Sequence, residues 1–103
     1  MHNSQNINPR FINIHVEFFG SARILTGLRE TQISIPKQST LKDLTHALSD
    51  ICPELVGEVI LSDRSGLQES YVFNVNGVSF ISNEPLNLTN NDVILLFSSQ
   101  AGG

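Results

Sequence analysis

Near its C-terminal end the chain runs Val93-Ile94-Leu95-Leu96-Phe97 without a polar residue. The cluster Asn90-Asn91-Asp92 precedes this run, and Ser98-Ser99-Gln100-Ala101-Gly102-Gly103 follows it. An apolar stretch without alternation predicts a strand covered on both faces, or one paired in parallel at the centre of a sheet. The rest of the chain must then supply strands for its two sides and a cover for at least one face.

The strands are legible. In Phe11–Phe19, FINIHVEFF, Ile12, Ile14, Val16 and Phe18 share one face while Asn13, His15 and Glu17 share the other. That two-residue period belongs to a half-buried strand. Gly20 and Ser21 loosen the chain, Gly27 marks a turn, and RETQISI then repeats the alternation through Thr31, Ile33 and Ile35. Pro36 has no N–H for a sheet ladder, so this second strand is expected to end at Ile35. Two strands joined by a loop make a hairpin.

A helix should follow. Thr40 and Asp43 form a variant capping box, and Leu41, Leu44, Leu48 and Ile51 recur at helical spacing, leaving Lys42, His46, Ser49 and Asp50 on the polar side. Pro53 disfavours helical geometry at Cys52 and ends the helix there. Leu55–Leu61 reads as a short helical turn followed by a short strand, and Ser62–Gly66 as a polar loop. In YVFNVNGVSF, Asn76-Gly77 between β-branched and aromatic residues signals a type I′ hairpin. Hairpin, helix, short strands and a final central strand together give an α+β chain of β-grasp (ubiquitin-like) form, with one main helix packed across a mixed sheet.

At 103 residues, 40% hydrophobic and 16% charged, the chain fits one domain. Residues 1–10 read as a flexible N-terminal extension, 11–97 as the β-grasp domain and 98–103 as a mobile Gly-Gly tail. A formal net charge of −4, from 6 basic and 10 acidic residues, suits no nucleic acid and favours a partner with a basic surface. No apolar run is long enough to span a membrane, and the polar opening carries no signal core, so a cytoplasmic location is the default. The single cysteine, Cys52, excludes an internal disulfide. His2, His15 and His46 show no metal-ligand spacing, so no metal site is expected.

Chemistry is most available at the tail. Glycine lacks a Cβ, so a terminal Gly102-Gly103 can thread a narrow channel and leave the last carboxylate unhindered. A carboxylate resists nucleophilic attack until it is adenylated. A sulfur donor then converts it to a thiocarboxylate, whose ionised sulfur is nucleophilic. The domain itself supplies no general base.

VEFFGSAR (Val16–Arg23), TLKDLTHAL (Thr40–Leu48), FNVNG (Phe73–Gly77) and LNLTNNDVILLFSSQAGG (Leu86–Gly103) together resemble the MoaD/ThiS family of sulfur carriers. The likeness extends over roughly Ile12 to Gly103. The spacing and F-G turn are closer to the small subunit of molybdopterin synthase than to the thiamine sulfur carrier.

The resemblance implies a thiocarboxylate at Gly103, made by a ubiquitin-activating-type adenylating enzyme that consumes ATP. It also implies a sulfur donor such as a cysteine desulfurase or rhodanese, and delivery of sulfur to a pterin precursor within the synthase large subunit. The chain would then be a non-catalytic, sulfur-donating subunit that binds no cofactor itself. Partner contacts are expected along Ser99, Gln100, Ala101 and Gly102, and at Phe97 and Phe19.

The chain departs from the family where proline-rich residues usually precede the glycines. Ser98-Ser99-Gln100-Ala101 should be floppier, and ordering it in a channel loses more entropy. Asn91-Asp92 replaces the usual Gly-Asp, which asparagine tolerates because it enters left-handed conformations.

Other readings of the same sequence are a carrier for tRNA thiolation, thiamine or cysteine synthesis, a protein modifier joined through Gly103, and an interaction module with an inert terminus. Cys52 reads as a small buried hydrophobe rather than a relay thiol. His15 and His46 read as surface residues. Asp43, Asp50, Glu54 and Glu58 read equally as a surface for basic partners or as a solvated face. Phe11, Phe19 and Phe80 are either a docking patch or covered by a loop.

Overall fold

The computed structural model describes residues 10–80 and 86–99. Strand β1 (Phe11–Phe18) buries Ile12, Ile14, Val16 and Phe18 and turns its alternate residues outward, as the period predicts. The expected loop after it is instead a short helix, α1 (Ser21–Thr26), which buries Ala22. Gly27 closes this helix in the left-handed region at φ 72°, donating its N–H to the Arg23 carbonyl at 2.8 Å. One and a half turns are too few to display a helical period, and the flanking glycines hid the element.

Strand β2 (Glu30–Pro36) pairs antiparallel with β1, from Glu17 opposite Glu30 to Phe11 opposite Pro36. Pro36 thus belongs to the strand, contrary to the expected end at Ile35. It is tolerated because β2 lies at the sheet edge and its missing N–H breaks no second ladder.

Helix α2 (Leu41–Ile51) starts on the complete capping box. Asp43 N–H donates to Thr40 Oγ1 at 3.1 Å, and Thr40 N–H donates to Asp43 Oδ2 at 2.9 Å. Its buried face is rotated from the expected stripe. Leu44, Thr45, Leu48 and Ser49 are inside, while Ile51 is 49% exposed. The two hydroxyls are admitted because each finds a carbonyl. Thr45 Oγ1 lies 2.7 Å from the Arg64 carbonyl in the following loop, and Ser49 Oγ lies 2.8 Å from that of His46.

The helix ends at Cys52, and Pro53–Leu55 forms a 3₁₀ turn that seats Leu55 in the core. The short helical turn expected here is present. The short strand expected after it is reduced to isolated bridges, Val56 to Ile60 and Ile60 to Leu67.

Strands β3 (Tyr71–Val75) and β4 (Ser79–Phe80) are joined through Asn76 and Gly77, both left-handed at φ 54° and 74°, as a type I′ turn requires. Strand β5 (Val93–Ser98) completes a five-stranded sheet of order β2-β1-β5-β3-β4. It runs parallel to β1 and antiparallel to β3. Of the two placements the apolar run allowed, central parallel pairing is the one found. Ile94 and Leu96 are fully buried in the core that also holds Leu44, Leu48 and Leu55, whereas Val93, Leu95 and Phe97 are half-buried on the open face. The core gathers Ile14, Val16, Phe18, Ile35, Leu44, Leu48, Leu55, Ile60, Ile94 and Leu96, and each such side chain contributes about 1.5–3 kcal/mol by burial.

Candidate functional site: the ends of the central strand

Strand β5 is fixed at its start by a polar knot. Asn91 takes φ 72°, turning the chain into the strand as asparagine was expected to allow, and donates its N–H to the Asn13 carbonyl at 2.7 Å. Asp92 Oδ2 accepts the Thr89 N–H at 2.8 Å. Its Oδ1 accepts the Thr89 hydroxyl at 3.1 Å and the Asn76 amide at 3.2 Å. Burial alone would raise this carboxyl's pKa, but these hydrogen bonds outweigh it and hold the group below the usual carboxylate value. Asn76 Oδ1 in turn accepts the Val93 N–H at 2.8 Å. The asparagine of the V-N-G turn therefore sets both the hairpin and the register of β5.

At the other end, β5 runs through Ser98, which pairs with Tyr71. Ser99 then donates both its N–H, at 2.7 Å, and its hydroxyl, at 3.1 Å, to the Ser70 carbonyl. A mobile segment beginning at Ser98 was expected, and this is corrected. Two hydrogen bonds to one carbonyl hold the chain through Ser99, at positions where the resemblance led to proline. Sequence periodicity could not reveal the contact, because Ser70 lies in a loop with no pattern. Gln100, Ala101, Gly102 and Gly103, the remaining expected site residues, lie outside the described residues.

Around this exit the surface is polar. An open groove of about 580 Å³ is lined by Gly57, Glu58, Gln68, Glu69, Ser70 and Ser99. Phe97 is half-buried on the open sheet face, opposite Val72. Phe19 is exposed just past β1, and its N–H donates to the Leu96 carbonyl at 3.1 Å. Phe19 and Phe97 therefore occupy adjacent positions at the end of the sheet from which the chain leaves. The Arg23 guanidinium sits 5.3 Å from the Phe19 ring centroid and donates through Nε to the Phe18 carbonyl at 2.9 Å. A crevice of about 230 Å³ opens here between Glu17, Phe19, Arg23, Arg29 and Glu30.

Phe11 does not join this group. It pairs with Pro36 at the far end of β1, so the outward phenylalanines of the first strand form no single patch. The Phe80 side chain lies outside what is described.

The remaining candidates are dispersed. Cys52 is 1% exposed, and its burial, helped by Glu54, pushes the thiol pKa up, so the thiol packs as a hydrophobe. His15 is half-buried with Nδ1 3.7 Å from Glu30, and His46 is exposed on α2. Asp43 caps α2 and Asp50 meets Arg64 at 3.4 Å. Among the described residues no three or more His, Cys, Asp or Glu side chains converge as metal ligands, and no helix is long and apolar enough to cross a membrane.

A sheet of this order, with β1 and β5 parallel at its centre and one main helix across it, defines a β-grasp, ubiquitin-like domain. Solved structures share it. SAMP1 from Haloferax volcanii superposes with a TM-score of 0.73 at 21% identity, over 88% of this chain and 99% of that one. A putative molybdopterin converting factor, subunit 1, from Pyrococcus furiosus gives 0.59 at 23% identity, over 86% and 99%. Urm1 from Trypanosoma brucei gives 0.61 at 18%, over 93% and 100%. No family model matches the sequence, and no curated protein does. At these identities the likeness establishes the fold.

Proposed function

We propose that this chain is a sulfur carrier whose working group is the carboxylate of Gly103. The observation that carries the proposal is the delivery of the chain by the central strand to Ser99, four residues short of a Gly102-Gly103 end. Four residues reach at most about 14 Å, which is enough to enter a partner's channel while the domain stays outside as a handle.

The Gly103 carboxylate attacks the α-phosphorus of ATP in a ubiquitin-activating-type enzyme and releases pyrophosphate. A persulfide sulfur from a donor of the desulfurase or rhodanese kind attacks the acyl carbon and expels AMP, leaving an acyl disulfide. A second thiol then attacks the donor's cysteine sulfur and forms a disulfide with it, which breaks the bond to the acyl-bound sulfur and releases the thiocarboxylate.

As the finer reading, we propose that the acceptor is a pterin precursor held by a molybdopterin synthase large subunit, with this chain as the small subunit. The sequence blocks that resemble that family support it, as does the fold shared with the converting-factor subunit. A second reading has its own support: two neighbours are described as small archaeal modifier proteins, which favours attachment of Gly103 to a protein amine.

Intact mass decides between them. Incubation with the adenylating enzyme, ATP and a sulfur donor should replace one oxygen by sulfur, and deletion of Gly103 should abolish this without lowering Tm. Lysine conjugates in a lysate, with no thiocarboxylate formed, would establish the modifier instead. Co-purification with a synthase large subunit tests the pterin pathway.

A further inference from the structure

Asn76 is the only asparagine of the chain that is followed by glycine. Such a pair is chemically labile. The backbone nitrogen of the next residue attacks the asparagine Cγ, and glycine, without a Cβ, leaves that nitrogen unhindered. At Asn74, whose buried Oδ1 has no hydrogen-bond partner among the described residues, branched Val75 follows and crowds the same approach. Asn76 and Gly77 are both exposed at the tip of the hairpin, within reach of water. The bond that closes the turn runs from the Val78 N–H to the Val75 carbonyl at 2.9 Å, so it does not occupy the Gly77 nitrogen.

The knot at the start of β5 holds this reaction back. Asn76 Nδ2 donates to Asp92 Oδ1 at 3.2 Å, and Asn76 Oδ1 accepts the Val93 N–H at 2.8 Å. Both ends of the carboxamide are thus drawn across to β5. Attack by Gly77 requires the carboxamide to swing away from both partners. The reaction therefore waits on a local opening of the knot.

We propose that Asn76-Gly77 is a deamidation site, guarded by the knot and destructive of the knot once it has reacted. The inference does not depend on the carrier reading. The Gly77 nitrogen bonds to Asn76 Cγ and passes its proton, through water, to the departing group. The Cγ–Nδ2 bond breaks, ammonia leaves and a succinimide ring closes. A water molecule then opens the ring at either carbonyl. One product is an aspartate at position 76, and the other is an isoaspartate, in which the chain continues through the side-chain carboxyl. No oxidant or reductant takes part. The aspartate puts an oxygen where the amide nitrogen stood, 3.2 Å from Asp92 Oδ1. A donor–acceptor pair becomes two like charges. The isoaspartate inserts a methylene into the backbone of a two-residue turn and shifts its register. Either product loosens the start of β5.

The test is mass-spectrometric peptide mapping of the aged full chain, folded and in urea, with its Asp92→Ala and Thr45→Val variants. In urea all three should deamidate at Asn76 at one rate. Folded, the native chain should react at least about tenfold more slowly than in urea. Folded Asp92→Ala should react about fivefold faster than the native chain, because one of the two anchors is gone. Folded Thr45→Val, destabilised in α2 away from the turn, should match the native rate. Asn76→Asp, the product itself, should lower Tm by roughly 4–8 °C, and by less on the Asp92→Ala background. No conversion at Asn76 in urea, or equal native rates folded and unfolded, overturns the inference. So does a Thr45→Val rate as high as that of Asp92→Ala, which would make the guard global folding, or an unchanged Tm in Asn76→Asp.

Discussion

Replacing Asp92 by alanine should show how much the knot at the start of β5 contributes. The carboxylate accepts three hydrogen bonds, one from the Thr89 backbone and two from side chains, at 2.8, 3.1 and 3.2 Å. In a half-buried, solvent-screened position each contributes less than its dry value, and together they amount to about 2 kcal/mol. For a domain of this size that corresponds to a fall in Tm of roughly 8–16 °C.

The assay is urea unfolding of the native chain and Asp92→Ala across pH, read as a change in midpoint at constant m. The sign of the pH effect follows from the lowered pKa. The carboxylate's contribution is complete above its unfolded value near 3.8, and is lost as pH falls through the lower folded value. The gap between native and variant should therefore be full at pH 7 and close below pH 3.8. A gap under about 0.5 kcal/mol at pH 7, or one that persists undiminished in acid, would refute the knot as described. Sulfur loading, measured well below Tm, should be unaffected, because Asp92 lies at the opposite end of β5 from the tail.

Three further outcomes test other parts of the structure. Thr45→Val removes the hydroxyl that reaches the Arg64 carbonyl and should destabilise by about 1–2 kcal/mol, whereas Ile51→Lys on the exposed side of α2 should stay within about 0.5 kcal/mol. Denaturant titrations of the two variants would show the reverse if the sequence stripe were the buried face. Cys52 should resist a thiol-specific reagent in the folded chain and react on unfolding, because burial both shields the thiol and raises its pKa. The Ser99 amide, though its residue is exposed, should exchange with solvent at least about tenfold more slowly than in an unfolded peptide, and free exchange would remove the clamp at Ser70.

Local pattern carried much of this protein. The alternation in Phe11–Phe18, the Thr40–Asp43 capping box, the Asn76-Gly77 turn and the unbroken VILLF run each depend on neighbours in sequence, so the β-grasp architecture was legible before any coordinates. Four features were not. Helix α1 is too short to show a period, so only its packing through Ala22 reveals it.

The inward turn of Thr45 and Ser49 contradicts their polarity. It is decided by carbonyls, one of them 19 residues away in a different loop. The hold on Ser99 and the orphaned oxygen of Asn74 likewise exist only because the sheet brings β3 beside β5. Sequence alone determined the main strands, helix α2 and the turn at Asn76-Gly77. Tertiary structure decided which polar groups are satisfied, because a hydrogen-bond partner is set by distance in space and not by spacing along the chain.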